Sequence, residues 1–210
     1  MIWRNTIFNQ RPMSPNLRAL AKDPRWYLQR GVGSLLMMVA LGLSLGGCGL
    51  IETGFEGPSR VEILGQSGQY QMLRNGEVYR PVGAGSVPGQ LESLKAHGAN
   101  SIRTWHVGDG GILDDAHALG LTVSLCLDVG RERLGFDYDD ADAVAEQLEE
   151  FRETVRKFKN HPALLTWIIG NELNIESKNP KVWNAVNDIA LMIKAEDPNH
   201  PVTTALAGLG

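Results

Sequence analysis

Residues 163–169, Ala-Leu-Leu-Thr-Trp-Ile-Ile, form a short and almost unbroken apolar run. Its length and its Trp and Ile content suit a strand buried on both faces, as in a parallel sheet. Pro162 punctuates its start and Gly170 ends it, and Asn171 and Glu172 follow at once. An unpaired buried charge is expensive, so a carboxylate directly after a buried strand belongs in a polar, partly wet site. In a barrel of parallel strands, side chains at the C-terminal strand ends build such a site. The plainer reading is a surface loop after an ordinary buried strand.

The rest of the chain repeats one unit. Residues 61–64 and 70–73 are short apolar runs around a Gly-containing turn, which predicts a hairpin. Arg74-Asn75-Gly76-Glu77 is a turn signal, and residues 78–84 then read as a strand. Helix 88–97 places Leu91 and Leu94 inward and is closed by Gly98. Strand 100–105, helix 112–119 and strand 121–128 follow. Helix 141–159 keeps Val144, Leu148, Phe151, Val155 and Phe158 on one face. Asp139, Asp140 and Asp142 suit its start, and Lys157 and Lys159 its end. After the 163–169 strand comes a helix over 180–195, with Asn179 as cap and Pro180 at its first turn, then a strand from 201. This alternation means a parallel sheet covered by helices. A closed barrel and an open doubly wound sheet both fit it. No Gly-x-Gly-x-x-Gly or P-loop favours a nucleotide fold.

The stretch from Asn160-His161-Pro162 to Asn171-Glu172 resembles the fourth strand of clan A glycoside hydrolases, most closely the family 2 type barrel domain. Residues 100–106, Asn-Ser-Ile-Arg-Thr-Trp-His, resemble that family's second strand. The resemblance covers roughly residues 70–205. It implies an α/β fold of the (β/α)8 TIM-barrel type, incomplete here at about five βα units and preceded by a small β-hairpin. It also implies a retaining glycoside hydrolase acting on an oligo- or polysaccharide, without a cofactor. Glu172 then takes the role of general acid/base, Asn171 binds the sugar 2-hydroxyl, and Arg103 supports the nucleophile. In clan A that nucleophile is a Glu on the seventh strand, which the chain does not reach; Glu132 and Glu176 match no such position. Removing a 47-residue leader leaves 210 − 47 = 163 residues, against about 250 for a typical barrel. The expectation is therefore a fragment lacking its nucleophile strand. A β-glucan transglycosylase and a non-catalytic carbohydrate-binding remnant are the alternatives.

Other strand-end residues carry weaker signals. A buried Arg103 needs a carboxylate partner, which a structural ion pair would supply equally well. His106 and Asp109 open the loop after the second strand and are candidates for sugar contact, or simply exposed. Asp128 ends the third strand and either lines the cleft or caps a turn. Trp105 and Trp167 offer aromatic faces for sugar stacking. Strand parity opposite to Glu172 places Trp167 between barrel and helices and leaves Trp105 nearer the cleft. Trp183 falls on the apolar side of its helix and reads as core, and Cys126 as inert packing.

The net charge of −4 gives no support to nucleic-acid binding. The two cysteines, Cys48 and Cys126, make neither a disulfide framework nor a zinc spacing, and no His/Cys cluster suggests a metal. The N-terminal residues are basic, with Arg4, Arg11, Arg18, Lys22, Arg25 and Arg30 against Asp23 alone. An apolar stretch over 35–45 follows, then Leu45-Gly46-Gly47-Cys48. Basic, apolar, then small residues is a secretory signal pattern. This one resembles a bacterial lipoprotein signal, which implies cleavage before Cys48, a lipid on its sulfur, and a membrane anchor at the cell envelope. A transmembrane anchor is the rival, though the apolar core falls short of the ~20 residues a span needs. Met13 is an alternative start. The organisation read from the sequence is a signal over residues 1–47, a linker over 48–60, and the N-terminal part of the barrel over 61–210.

Overall fold

The structure is a computed structural model that describes residues 57–208. The leader and Cys48 lie outside the described residues. β1 (Val61–Gln66) and β2 (Gln69–Arg74) form an antiparallel hairpin. Ser67 and Gly68 close it, both at positive φ (55° and 83°). That pairing matches the hairpin turn whose twist suits flanking strands. Asn75 and Gly76, at φ 53° and 85°, make a second such turn into β3 (Glu77–Val78).

The strand expected over 78–84 is instead divided. Val78 stays with the hairpin, and β4 (Gly83–Gly85) begins the main sheet. Pro81 lies between them and has no N–H to give a ladder. The Asn100 side chain takes over on both sides of it. Its Nδ2 donates to the Arg80 carbonyl at 3.0 Å, and its Oδ1 accepts from the Val82 N–H at 2.7 Å.

The main sheet then alternates with helices. α1 (Leu91–Ala96) leads to β5 (Ser101–Arg103), and α2 (Gly111–Ala118) to β6 (Thr122–Leu127). A 3-10 turn over Glu132–Leu134 precedes α3 (Ala141–Phe158), which Asp140 caps by accepting from the amides of Asp142 and Ala143. β7 (Leu164–Asn171), α4 (Lys181–Glu196) and β8 (Val202–Ala205) complete the described residues. All five strands are parallel, in the order β4-β5-β6-β7-β8. Spatial order equal to chain order is that of a barrel; a doubly wound sheet reverses direction partway.

Strand alternation divides the side chains. Ile102, Val123, Leu125, Leu127, Trp167 and Ile169 face the helices and pack against Leu113, Val155, Val186 and Ile193. Cys126, Ile168 and Ala205 meet on the opposite, inner face. Burial pushes the Cys126 thiol up to about 11, so it stays a protonated packing group. Trp183 is not core: it is 39 % exposed. α4 buries Val182, Ala185, Val186, Ile189 and Ile193, and at 100° per residue Trp183 falls on the shoulder of that stripe.

The hairpin docks at the N-terminal ends of β7 and β8. The Val61 N–H donates to the Asn199 carbonyl at 2.8 Å, and Arg74 Nη2 to the Pro162 carbonyl at 3.0 Å. Ser59, near the end of the expected linker, is fully buried there. Its Oγ donates to the Leu164 carbonyl at 2.6 Å and lies 3.0 Å from His200 Nε2. His200 Nδ1 reaches Asp197 Oδ2 at 2.8 Å, and Trp167 Nε1 donates to the same oxygen at 2.7 Å. Ser59, His200 and Asp197 are thus bonded in the order of a hydrolytic triad. The serine hydrogen is directed at a carbonyl, however, and no surface reaches it, so the group is a staple under the sheet. Burial alone would raise the Asp197 pKa, but the bonds from His200, Trp167 and the Asn199 amide outweigh it and hold the carboxyl below its ordinary range.

Candidate active site

The C-terminal ends of β5 and β7 bring together four of the residues singled out from the sequence, Arg103, Trp105, Asn171 and Glu172. The geometry starts with a bulge. β7 pairs with β8 as Ile168↔Thr203 and then Asn171↔Ala205, so β7 holds one residue more than its partner. Gly170 sits in this interval at φ +70°, and a Cβ there would lie 2.6 Å from the Leu173 side chain. Only glycine accepts both the angle and the contact. The extra residue shifts the alternation and carries Asn171 to the inner face, opposite Ala205. Strand parity counted from Trp167 to Glu172 runs through this bulge and so does not apply. Trp167 is nonetheless fully buried on the helix side, as expected, and is excluded from the cleft.

Arg103 on β5 reaches Asn171 on β7. Its Nη2 donates to Asn171 Oδ1 at 2.6 Å. The guanidinium also lies 5.8 Å from the centre of the Trp105 ring, within cation–π range. The Trp105 indole rests on Gly85, where a Cβ would meet ring carbons at 2.7 Å. The ring remains 39 % exposed at the rim.

Glu172 is partly exposed at the strand end. It adopts φ +56°, the left-handed region that a non-glycine residue enters only when its surroundings hold it there. Its N–H donates to the Ala205 carbonyl at 2.8 Å. Among the described residues none hydrogen-bonds or ion-pairs with its carboxylate. Asp128 ends β6 at the same edge, but its Oδ1 accepts from Arg131 Nη2 at 2.7 Å. His106 is exposed on the loop after β5, with no polar contact to Arg103 or Asn171. Asp109 Oδ1 accepts from the Gly111 amide at 2.9 Å at the start of α2.

Sequence reasoning missed Arg131 and Arg133. Arg131 Nε donates to the Asn171 carbonyl at 3.3 Å, and Arg133 Nη1 to the Glu172 carbonyl at 2.9 Å. Glu132, weighed only as a stray carboxylate, has Oε2 taken up by Ser177 Oγ and by the amides of Lys178 and Asn179. Those amides hold its carboxyl below the ordinary carboxylate range. The Arg-Glu-Arg pattern was the available signal, but nothing in it names the loop it would bind. Among the described residues no cluster of three or more His, Cys, Asp or Glu is arranged to hold a metal ion.

No curated protein matches the sequence. Several solved structures share the fold. A beta-glucuronidase from an uncultured Clostridium species superposes with a TM-score of 0.56 at 21 % identity, covering 71 % of this chain and 29 % of that one. A beta-D-glucuronidase of Dictyoglomus thermophilum gives 0.54 at 21 % identity, with the same coverage of 71 % and 29 %. A GH2 beta-galacturonidase from Eisenbergiella tayi, bound to galacturonate, gives 0.53 at 20 % identity, covering 71 % and 28 %. The chain thus spans under a third of the length of these structures, and the likeness concerns the fold. Residues 80–207 match the family described as glycosyl hydrolases family 2, TIM barrel domain. The match begins where β4 is about to start and ends just after β8, so the chain belongs to glycosyl hydrolase family 2 through a partial TIM barrel.

Proposed function

We propose that this chain carries the acid/base half of a retaining glycoside hydrolase site, with Glu172 as the general acid/base. The observation that supports it most is the pairing of two neighbours. Glu172 is strained and its carboxylate is uncommitted among the described residues, while Asn171 is fixed by Arg103. In this mechanism Glu172 gives its proton to the glycosidic oxygen as the bond from the anomeric carbon to that oxygen breaks. A second carboxylate attacks the anomeric carbon to form a glycosyl-enzyme ester. Glu172, now ionised, takes a proton from the water that cleaves the ester. Asn171 is placed to bind a sugar hydroxyl beside the reacting carbon. Trp105 offers a stacking face at the rim, and His106 and Asp128 are proposed as further saccharide contacts.

The second carboxylate must lie about 5–5.5 Å from the first. Asp128 is held by Arg131 and Glu132 by loop amides, so neither is placed to attack. The proposed source is a later strand of the barrel. Replacing water by a sugar hydroxyl in the second step makes the same site a transglycosylase. The substrate class is a β-linked oligo- or polysaccharide. The relatives named as glucuronidases and a galacturonidase make uronides the first sugars to assay. Lipid attachment at Cys48, on the Leu45-Gly46-Gly47-Cys48 pattern, is proposed to hold the protein at the bacterial cell envelope.

The test uses protein purified from its native host, so that every segment the cell joins to these residues is present. Glu172→Gln is expected to lower kcat on poor leaving groups by several orders of magnitude, and much less on activated aryl glycosides, whose departure needs little acid help. Equal losses on both would rule out the acid/base role. Saccharide binding with no turnover by the unaltered protein would favour a non-catalytic binding protein.

A further inference from the structure

Glu172 occupies a left-handed backbone conformation, at φ +56°, that is unfavourable for a non-glycine residue. Among the described residues its carboxylate makes no hydrogen bond or ion pair that would hold it there. The Glu172 N–H donates to the Ala205 carbonyl at 2.8 Å, its carbonyl accepts from the Ile175 N–H at 3.1 Å, and a charged donor joins them from the connection after β6. Arg133 Nη1 lies 2.9 Å from the Glu172 carbonyl and 3.4 Å from the Ile175 carbonyl. Arg131 donates from Nε to the Asn171 carbonyl and from Nη2 to Asp128. Between the two arginines, Glu132 points at the far end of the same loop. It accepts from Ser177 Oγ at 3.1 Å, the Lys178 amide at 2.7 Å and the Asn179 amide at 3.0 Å. Three consecutive residues of alternating charge therefore grip residues 171–179 at their start, middle and end.

The support beneath this grip is stiff. A Cβ on Gly130 would collide with the Phe136 side chain at 2.2 Å, so that ring packs directly against the backbone. The Tyr138 hydroxyl donates to the Gly130 carbonyl, and Gln147 Oε1 on α3 accepts from the Gly130 amide at 2.7 Å. Bonds between a charged side chain and a backbone group are roughly twice as strong as neutral ones.

We infer that residues 131–133 form a latch that fixes the backbone of Glu172, with Arg133 as the positioning residue. This rests on the acid/base reading of Glu172. The location of that carboxylate is then set from the third strand's connection as well as from its own strand. A catalytic group misplaced by about 1 Å loses on the order of a hundredfold in rate.

The experiment combines amide hydrogen exchange with kinetics on the natively produced protein and its variants. Arg133→Met is expected to speed exchange at Ile175, Lys178 and Asn179 about tenfold or more, while Leu125 and Cys126 in β6 stay unchanged. Arg133→Lys, which keeps the charge and a donor, should restore part of the protection. Glu132→Gln should speed exchange at Lys178 and Asn179. If Arg133→Met does not fold, the Lys and Gln variants carry the test. Arg133→Met should also lower kcat about tenfold or more with KM little changed, and most on poor leaving groups. Unchanged exchange in the loop overturns the latch. Exchange that rises throughout the sheet overturns it too, because that marks general destabilisation. A loosened loop with kcat intact overturns the positioning role. A protein that turns over no glycoside counts against the acid/base reading, and the exchange result then judges the latch alone.

Discussion

Arg103 and Asn171 are joined across a strand that neither belongs to. β6 lies between β5 and β7, yet Arg103 Nη2 reaches Asn171 Oδ1 at 2.6 Å. Two strand spacings are about 9.5 Å, a distance that suits an extended arginine and exceeds the reach of most side chains. The bond requires both the long guanidinium and the bulge that turns Asn171 inward.

That pair is open to a double-mutant cycle. A hydrogen bond to a charged group contributes about 1.5–3 kcal/mol. Arg103→Lys and Asn171→Ala are each expected to lower kcat/KM on aryl β-glycosides by about tenfold or more. The double variant should lose clearly less than the product of the two. Independent, multiplicative losses would mean that the bond does not couple the residues in the working enzyme.

Gly170 should tolerate alanine poorly. The substitution meets both a left-handed φ of +70° and a Cβ contact of 2.6 Å with Leu173. Gly135 is a built-in control: it has φ +95°, but an added Cβ would meet no heavy atom within 4 Å. Gly135→Ala is expected to cost about 1 kcal/mol and Gly170→Ala about 2 kcal/mol or more. Urea midpoints measure both, and equal costs would show that the Leu173 contact relaxes freely.

Asp197 ties acid stability to the staple under the sheet. Its carboxyl titrates below its unfolded value of 3.8. The sign follows from linkage: the stabilisation is complete above pH about 4 and is lost as pH falls through the lower folded value. Asp197→Asn should therefore lose about 3–5 kcal/mol at pH 7, the cost of breaking a buried pair. The gap from the unaltered protein should narrow as the pH drops towards about 2. Urea unfolding at neutral and acid pH tests this, and a gap independent of pH would contradict it.

Cys48 is expected to carry lipid. Grown in a bacterium with labelled fatty acid, the protein should take up label, and Cys48→Ala should abolish it and free the protein from the membrane fraction. Equal labelling of the Cys48→Ala form would refute lipidation there.

Much of the sheet was legible because its code is periodic. The apolar run at 163–169 and the regular face of the helix at 141–159 each have a single good solution, and β7 and α3 formed where they point. Glycine punctuation also located the hairpin turns. What escaped was set by partners distant in sequence. Asn100 stitches the chain around Pro81, so a strand expected as one became two. The bulge at Gly170 is invisible to a parity count, because one inserted residue looks like continued strand. Trp183 counts as apolar in any pattern and still lies at the margin of the buried stripe of α4. Glu172, Asn171 and Arg103 were found through motif resemblance and Trp105 through its aromatic face at a strand end, and all four lie at one edge of the sheet. Arg131 and Arg133 were missed because they act on carbonyls, which no side-chain pattern reveals.

The order β4-β5-β6-β7-β8 has a consequence for how the protein is made. Each new strand pairs with the one translated just before it, across a connection carrying its own covering helix. Among the described strands, each finds a neighbour in the segment just before or just after it. Sheets whose order departs from chain order must hold apolar edges open until later segments arrive, and that interval invites aggregation. Here each strand can dock on the one before it in chain order, whether the chain emerges from a ribosome or on the far side of a membrane. The hairpin precedes the sheet in the chain but docks on Pro162, Leu164 and Asn199, 88 residues or more later, so its place under the sheet waits for those segments.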